Sequence, residues 1–259
     1  MQYARPASMN VSSRGLTDVG RKRDHNEDSL MVDDDLCLYV VADGMGGHQG
    51  GGTASRIAVE TIRDDLRAAR ERDPAVMQAD RPLEDHPLRE VLRQAVEKAC
   101  RSIFQAAQGN PELQGMGTTV TSLLLAGKNG FVAHVGDSRC YLLRQGTLFQ
   151  VSEDHSLVNE QLKAGAITPE EARTSRFRNI ITRSVGFEEQ VSVDLLGLEV
   201  EPGDRLVVCC DGLSNLVEDG EIAEVVGQSS LDEAPRRLVE LANDRGGDDN
   251  ITVVVVHVD

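Results

Sequence analysis

Residues 40–52, VVADGMGGHQGGG, join a β-branched run to an aspartate and then to six glycines within nine residues. Val40, Val41 and Ala42 predict the end of a buried strand, and the glycines predict a loop whose backbone approaches another group closely. An aspartate at the mouth of such a strand is well placed to hold a metal ion or a phosphate group. From this segment alone, a flexible surface turn is an equally good interpretation.

The composition excludes some classes of partner. The chain of 259 residues is 40% hydrophobic and 27% charged, with a formal net charge of −16. Nucleic acids and anionic membranes bind proteins that present a basic surface, so we expect neither as a partner. An anionic substrate must therefore be received by local positive charge or by metal ions.

The cysteines and the apolar runs indicate a reducing, aqueous location. No apolar run approaches the roughly 20 residues of a membrane span, and the N-terminus has no apolar stretch typical of a signal peptide. The five cysteines form no CxxC pair. Four of them lie in apolar runs, which favours buried reduced thiols over disulfides or a zinc site. We therefore expect a cytoplasmic protein.

The hydrophobic periodicity predicts a layered α+β fold. Strands are expected at 36–42, 118–126, 130–135, 139–144, 147–151, 191–198, 205–210 and 251–258, and helices at 53–69, 87–108, 219–227 and 231–243. Short turns such as Gln145-Gly146 favour antiparallel sheets. Strands covered by each other and by helices predict a sandwich. Residues 156–185 break into short helical pieces, which predict a small flap outside the core.

Four aspartates occupy similar places relative to the predicted strands. Asp43, Asp137 and Asp211 follow apolar strands, and Asp249 precedes one. If these strands are neighbours, the carboxylates form one cluster whose charges repel each other. A divalent cation with oxygen ligands, Mg²⁺ or Mn²⁺, is the usual solution. Most Asp-Gly pairs are plain turns, and that alternative stays open here.

The N-terminal region carries positive charge close to further carboxylates. Arg21, Lys22 and Arg23 precede Glu27 and Asp28 by a few residues. An arginine fork binds phosphate through two hydrogen bonds, which a lysine cannot do. A solvated charge run is the alternative interpretation.

The order of motifs resembles that of a known family. The chain contains, in order, GRKRDHNEDS, VADGMGGHQGG, GTTVTSLLL, HVGDSRCYLL, DHSLV, IITRSVG, LVVCCDGLS and GGDDNITVVVV. This series is similar to that of the metal-dependent, type-2C protein phosphatases, and the form DGMGGH is similar to their bacterial branch, whose members often oppose Ser/Thr kinases. The resemblance implies one monomeric domain over residues 1–259 with an αββα fold: two antiparallel sheets, face to face, between layers of helices. It also implies hydrolysis of phosphoserine and phosphothreonine in proteins by a metal-activated water.

The resemblance also implies the ligands of two cations, Mn²⁺ or Mg²⁺. Asp43 would bridge both cations, and the Gly44 carbonyl would bind one of them. Asp211 and Asp249 would complete the other. Asp28 would hold a metal-bound water, with Glu27 as a weaker candidate.

Three further roles follow from the same resemblance. Arg23 aligns with the phosphate-binding arginine, and Asp137 aligns with an aspartate that binds a third cation together with Asp211. Eukaryotic members have a histidine, thought to protonate the leaving group, where this chain has Met45. His48, or a metal-bound water, could replace it.

Two other functions remain open from the sequence. A catalytically weak or inactive relative could regulate a partner by binding, although such a protein is expected to lack a metal-binding aspartate. A metal-dependent nuclease or phosphodiesterase also uses clustered aspartates, but the net charge of −16 argues against it.

Overall fold

The computed structural model describes residues 10–46, 50–78 and 81–259. Within them the chain forms two five-stranded antiparallel sheets. Sheet I has the order β1 (Val11–Asp18), β12 (Ile251–Val258), β11 (Arg205–Cys209), β8 (Arg139–Arg144) and β9 (Thr147–Gln150), and sheet II has the order β10 (Asp194–Glu199), β7 (Asn129–Val135), β6 (Val120–Ala126), β3 (Leu38–Ala42) and β2 (Ser29–Asp33). A short pair, β4 (Gly44–Met45) and β5 (Gly117–Thr118), extends from the end of β3.

Helices cover the outer face of each sheet. Helices α1 (Gly50–Arg72) and α2 (Pro87–Gly109) pack on sheet II, whereas α6 (Asp219–Gln228) and α7 (Ala234–Asp244) pack on sheet I. A single turn, α5 (Asp211–Ser214), follows β11 directly. The predicted αββα sandwich is thus confirmed. None of the helices in the described segments is long and apolar enough to cross a bilayer.

The apolar strand sequences follow from burial on both faces. Successive side chains of a strand point to opposite faces. Val40 therefore packs against α1 and α2, whereas Val41 packs between the two sheets. In β12, Val253 packs toward α6 and α7, and Val254 packs between the sheets. A buried valine contributes about 1.5–3 kcal/mol relative to an exposed one, so each central strand stabilises two layers at once.

The sequence prediction missed three strands, β1, β2 and the two-residue β4, and misplaced two helix starts. β1 has the sequence VSSRGLTD, whose burial shows no regular alternation, and it pairs with β12 over its full length at the edge of sheet I. β2 is short and follows the charged segment around Arg23. Helix α1 begins at Gly50 instead of 53, because its first three residues are glycines and carry no helical signal. Helix α7 begins at Ala234 instead of 231.

Residues 156–185, the flap, lie outside both sheets. They contain α3 (Leu157–Lys163) and α4 (Pro169–Thr174). Isolated β-bridges join the two ends of the flap to each other, Ser156 with Ile181, and its end to β5, Thr118 with Val185. Phe177 and Ile180 are exposed on it. The segment is therefore attached to the sandwich mainly at its ends.

Gly44 lies where three backbone segments meet. A Cβ atom at this position would lie 2.1 Å from the Gly51 carbonyl oxygen and 2.5 Å from that of Glu27. These are distances that carbon and oxygen atoms cannot share without displacement of the backbone. Glycine is required here because β4, the first turn of α1 and the segment before β2 pack closely together.

We therefore expect Gly44→Ala to lower the free energy of unfolding by roughly 1–3 kcal/mol, the usual cost of overpacking. Gly220→Ala is the matched control, since a Cβ there meets no atom within 4 Å and alanine favours a helix by up to about 1 kcal/mol. Urea unfolding of both variants measures the difference. Equal midpoints for wild type and Gly44→Ala would contradict the close packing.

Candidate metal centre

Five aspartates from five separate segments converge at one edge of the sandwich. Each lies next to a strand or one residue away from it, so its backbone is held close to a sheet. Asp43 follows β3, Asp211 follows β11 after one residue, Asp137 follows β7 after one residue, Asp249 precedes β12, and Asp28 precedes β2. Their charges act on one another: Asp43 is influenced by Asp28, Asp211 and Asp137, and Asp28 by Asp211 and Asp249. The structure thus brings together all five aspartates that the sequence singled out.

Burial and mutual repulsion disfavour the charged forms of these carboxylates. Burial, followed by the charges of Asp211 and Asp249, raises the pKa of Asp28 to about 7. Burial, followed by the charge of Asp211, raises the pKa of Asp137 to about 8. Burial is also the largest cause that raises the pKa of Asp43 well above its usual range. A bound cation would reverse this effect, because it stabilises the ionised carboxylates.

The donor atoms of the cluster suit a hard divalent cation. Asp28, Asp43 and Cys210 each present one potential ligand atom, and these atoms lie within 4.8 Å of one another. The Cys210 thiol is a poor ligand, because burial and the charges of Asp28 and Asp43 raise its pKa well above its usual range, and its sulfur accepts a hydrogen bond from the Thr252 amide at 3.0 Å. Oxygen ligands are therefore left, which Mg²⁺ and Mn²⁺ prefer.

Asp28 is oriented on one side and unsatisfied on the other. Its Oδ2 accepts a hydrogen bond of 2.6 Å from the Thr252 hydroxyl. Its Oδ1 is buried and has no hydrogen-bond partner among the described residues. A buried carboxylate oxygen without a donor is costly, and a cation or a water bound to one is the usual explanation. The residues present therefore fit a metal centre.

The backbone of Asp43 is fixed on both sides. Its amide donates to the Thr119 hydroxyl at 3.0 Å, and its carbonyl accepts from the Thr119 amide and the Thr118 hydroxyl, both at 2.8 Å. The Asp43 carboxyl lies within hydrogen-bonding reach of Asp211. This rigid frame is what a residue that contacts two cations needs.

The remaining candidate ligands have different surroundings. Gly44 is buried in β4, with its carbonyl oxygen facing the start of α1 near Gly51. Glu27 lies beside Gly51 as well, and its Oε1 is buried without a hydrogen-bond partner in the described part of the chain. The roles of these two residues stay predictions. His48 lies outside the described residues.

Arg23 stands at the rim of the cluster. Its Nη2 lies 2.7 Å from Asp249 Oδ2, and its side chain is 51% exposed. Its charge also acts on Asp211. Arg21 instead donates its backbone amide to the Gly247 carbonyl at 2.7 Å. Of the two arginines, Arg23 therefore has its guanidinium beside the carboxylates and open to an incoming anion.

A cleft of about 840 Å³ opens from Asp137 and Asp211 and runs between the flap and the start of α6. Arg139 lines it and donates to both carboxylate oxygens of Asp154, at distances of 2.7–3.1 Å. Sequence reasoning missed Arg139, and it also missed the hydroxyl of Thr252 that orients Asp28. The only available signal for Thr252 was a polar residue inside the apolar run of β12.

Comparisons with known proteins identify the family of the chain. The sequence profile described as protein phosphatase 2C matches residues 20–251. The serine/threonine phosphatase stp of Listeria welshimeri is 38% identical over 244 residues, which cover 93% of each chain. The structure of the Mycobacterium tuberculosis serine/threonine phosphatase PstP/Ppp matches with a TM-score of 0.85 and 35% identity, over 96% of this chain and 99% of the other. The catalytic domain of PstP in complex with two manganese ions matches with a TM-score of 0.83 and 36% identity, over 97% of this chain and 99% of the other. The chain therefore belongs to the protein phosphatase 2C family.

Proposed function

We propose that the aspartate cluster is the catalytic centre with which the protein, as a member of this family, hydrolyses phosphoserine and phosphothreonine in other proteins. The observation that carries the proposal is the convergence of five aspartates beside the unsatisfied Oδ1 of Asp28. All of the expected metal-binding aspartates are present, which favours an active enzyme over an inactive binding module.

Two divalent cations, Mn²⁺ or Mg²⁺, would occupy the centre. Asp43 would contact both, Asp211 and Asp249 would hold one of them, and the Gly44 carbonyl would bind the other. Asp28 would orient a water bound to one of the cations. Thr252 occupies only the Oδ2 of Asp28, so its Oδ1 is left to contact that water. When bound, the cations supply an acidified water for attack on phosphorus and positive charge for the phosphoryl group.

Arg23 would bind the substrate phosphate. Its pairing with Asp249 places the guanidinium at the edge of the cluster. Two parallel hydrogen bonds to phosphate oxygens would orient the phosphorus and offset the charge that develops during transfer. Met45 carries no exchangeable proton, so the proton for the leaving group comes from His48 or from a water.

The biological setting is also part of the proposal. A phosphatase for phosphoserine and phosphothreonine needs a kinase that makes its substrates, so we propose a Ser/Thr protein kinase as its functional opponent. The buried thiols of Cys100, Cys140, Cys209 and Cys210 fit the reducing cytoplasm. We propose that the whole chain works there as one monomeric catalytic domain, without nucleic acid or membrane as a partner.

Metal dependence is tested with two adjacent aspartates. Asp249→Asn should abolish most turnover of p-nitrophenyl phosphate and weaken the rise in melting temperature that Mn²⁺ produces, because it removes a charged ligand. Asp248→Asn, an exposed neighbour, should leave both unchanged. EDTA should abolish wild-type activity, and Mn²⁺ should restore it. Full activity in EDTA would exclude the proposed centre.

The two arginines form a second matched pair. A charge-assisted hydrogen bond contributes roughly 1.5–3 kcal/mol, so Arg23→Ala should weaken inhibition by inorganic phosphate about tenfold or more. Arg21→Ala should have little effect, because its ordered contact is made by the backbone. Inhibition constants measured at fixed Mn²⁺ give the comparison. A larger effect at Arg21 would transfer the phosphate-binding role to that residue.

A substitution of Asp137 distinguishes its two possible roles, a ligand of a third cation and a cap of the turn. If it holds a third cation together with Asp211, Asp137→Ala should keep two tightly bound cations but lower turnover. A capping role predicts the opposite: a loss of roughly 1 kcal/mol in stability with turnover almost intact. Calorimetric titration with Mn²⁺, a melting curve and the turnover rate of p-nitrophenyl phosphate distinguish the two roles. Normal turnover in a destabilised variant would reject the third cation.

A further inference from the structure

His155 lies at the junction between the flap and the predicted catalytic centre. It is 6% exposed and directly precedes the flap. Its backbone amide donates to the Gly136 carbonyl at 2.7 Å, and its carbonyl accepts from the Thr182 amide at 2.8 Å. The first of these bonds reaches the residue before Asp137, and the second reaches the returning end of the flap.

The side chain of His155 links the same two places. Its Nδ1 accepts a hydrogen bond of 3.1 Å from the Gly136 amide. Because an amide can only donate, Nδ1 carries no proton, and the ring proton is on Nε2. Nε2 donates to Asp194 Oδ2 at 3.0 Å, and Asp194 Oδ1 accepts from Arg183, within the flap, at 2.7 Å. One imidazole thus connects the Asp137 turn to the end of the flap.

The Asp137 turn depends on these bonds. Gly136 has a φ of +114°, and a Cβ there would lie 2.6 Å from the Thr119 side chain. A glycine has no side chain to pack, so its orientation is fixed by its backbone hydrogen bonds. Both its amide and its carbonyl are bonded to His155. The ring of His134, 4.8 Å away, supports the imidazole from one side.

We propose that His155 is a positioning residue that holds the Asp137 turn and the end of the flap in fixed register, so that the flap and the catalytic centre are coupled through one side chain. The proposal rests on the phosphatase function above. It assigns no contact between His155 and the substrate. Its effect on turnover is exerted through Asp137. Its effect on protein substrates is exerted through the flap, because flap residues line the cleft that opens from Asp137 and Asp211.

Two substitutions each remove one of the two side-chain hydrogen bonds of His155, with Gly136 or with Asp194. His155→Gln places an amide nitrogen near the position of Nε2, so it keeps the bond to Asp194 and loses the acceptor for Gly136. His155→Asn places its Oδ1 near the position of Nδ1, so it keeps the acceptor and does not reach Asp194. His86→Asn is the control. His86 is also a buried histidine, but it caps the start of α2 and its ring contacts Phe131, four residues before the end of β7 and away from Asp137.

The loss of a single hydrogen bond predicts changes of about three- to tenfold. In the Mn²⁺-loaded enzyme, His155→Gln should lower kcat to a similar extent for p-nitrophenyl phosphate and for a phosphothreonine peptide. His155→Asn should lower the ratio of kcat/KM for the peptide to that for p-nitrophenyl phosphate. His86→Asn should change neither quantity. Equal effects of the two His155 variants on this ratio would overturn the proposal.

Two measurements do not require activity, so they separate this proposal from the phosphatase assignment. Amide exchange at Gly136 should be slow in the wild type and in His155→Asn but fast in His155→Gln. Nitrogen NMR of the wild type should show the His155 proton on Nε2. A proton on Nδ1, or slow exchange in His155→Gln, would overturn the proposal. If a His155 variant does not fold, Asp194→Asn tests the bond between His155 and Asp194. It should lower the same ratio of kcat/KM for the peptide to kcat/KM for p-nitrophenyl phosphate.

Discussion

Repulsion between buried carboxylates is the constraint on which this edge of the molecule depends. Asp28, Asp43, Asp137 and Asp211 all have a raised pKa, and burial is the largest cause in each case. A loose loop would relieve such repulsion by moving its side chains apart. Here four of the aspartates lie beside central strands that are buried on both faces, and Asp28 lies beside the edge strand β2, so the sandwich holds them together. Divalent cations bound at the cluster would offset the remaining repulsion, so the proposed metal binding depends on the geometry of the strand ends.

The close approach of these aspartates also explains the glycines beside them. A Cβ at Gly44 would lie 2.5 Å from the Glu27 carbonyl, and one at Gly212 would lie 2.0 Å from the Asn250 carbonyl. Gly44 follows Asp43 and packs on the neighbour of Asp28, whereas Gly212 follows Asp211 and packs on the neighbour of Asp249. Each Asp-Gly pair therefore brings two aspartate-bearing segments into contact. The glycines serve close packing here more than they serve loop flexibility.

These packing relations show why the sequence predicted some features and missed others. Apolar runs that are followed or preceded by an aspartate are visible in the sequence, so the cluster of Asp43, Asp137, Asp211 and Asp249 could be predicted. β1 could not, because an edge strand with serine, arginine and threonine is stabilised by its pairing with β12 and not by its own pattern. The role of Thr252 depends on its distance from Asp28, which only the tertiary structure defines.

The flap and the catalytic centre differ in how they are supported. Asp43 is pinned through its own backbone by Thr118 and Thr119, whereas the flap contacts the sandwich mainly through its two ends. Its exposed middle contributes little to the core, so substitutions there should leave the aspartates in place. Its ends are different, because His155 joins them to the turn that follows β7 and carries Asp137. Substitutions are therefore least costly between the two ends of the flap, whereas the residues that join those ends to the sandwich hold the flap and the Asp137 turn at the same time.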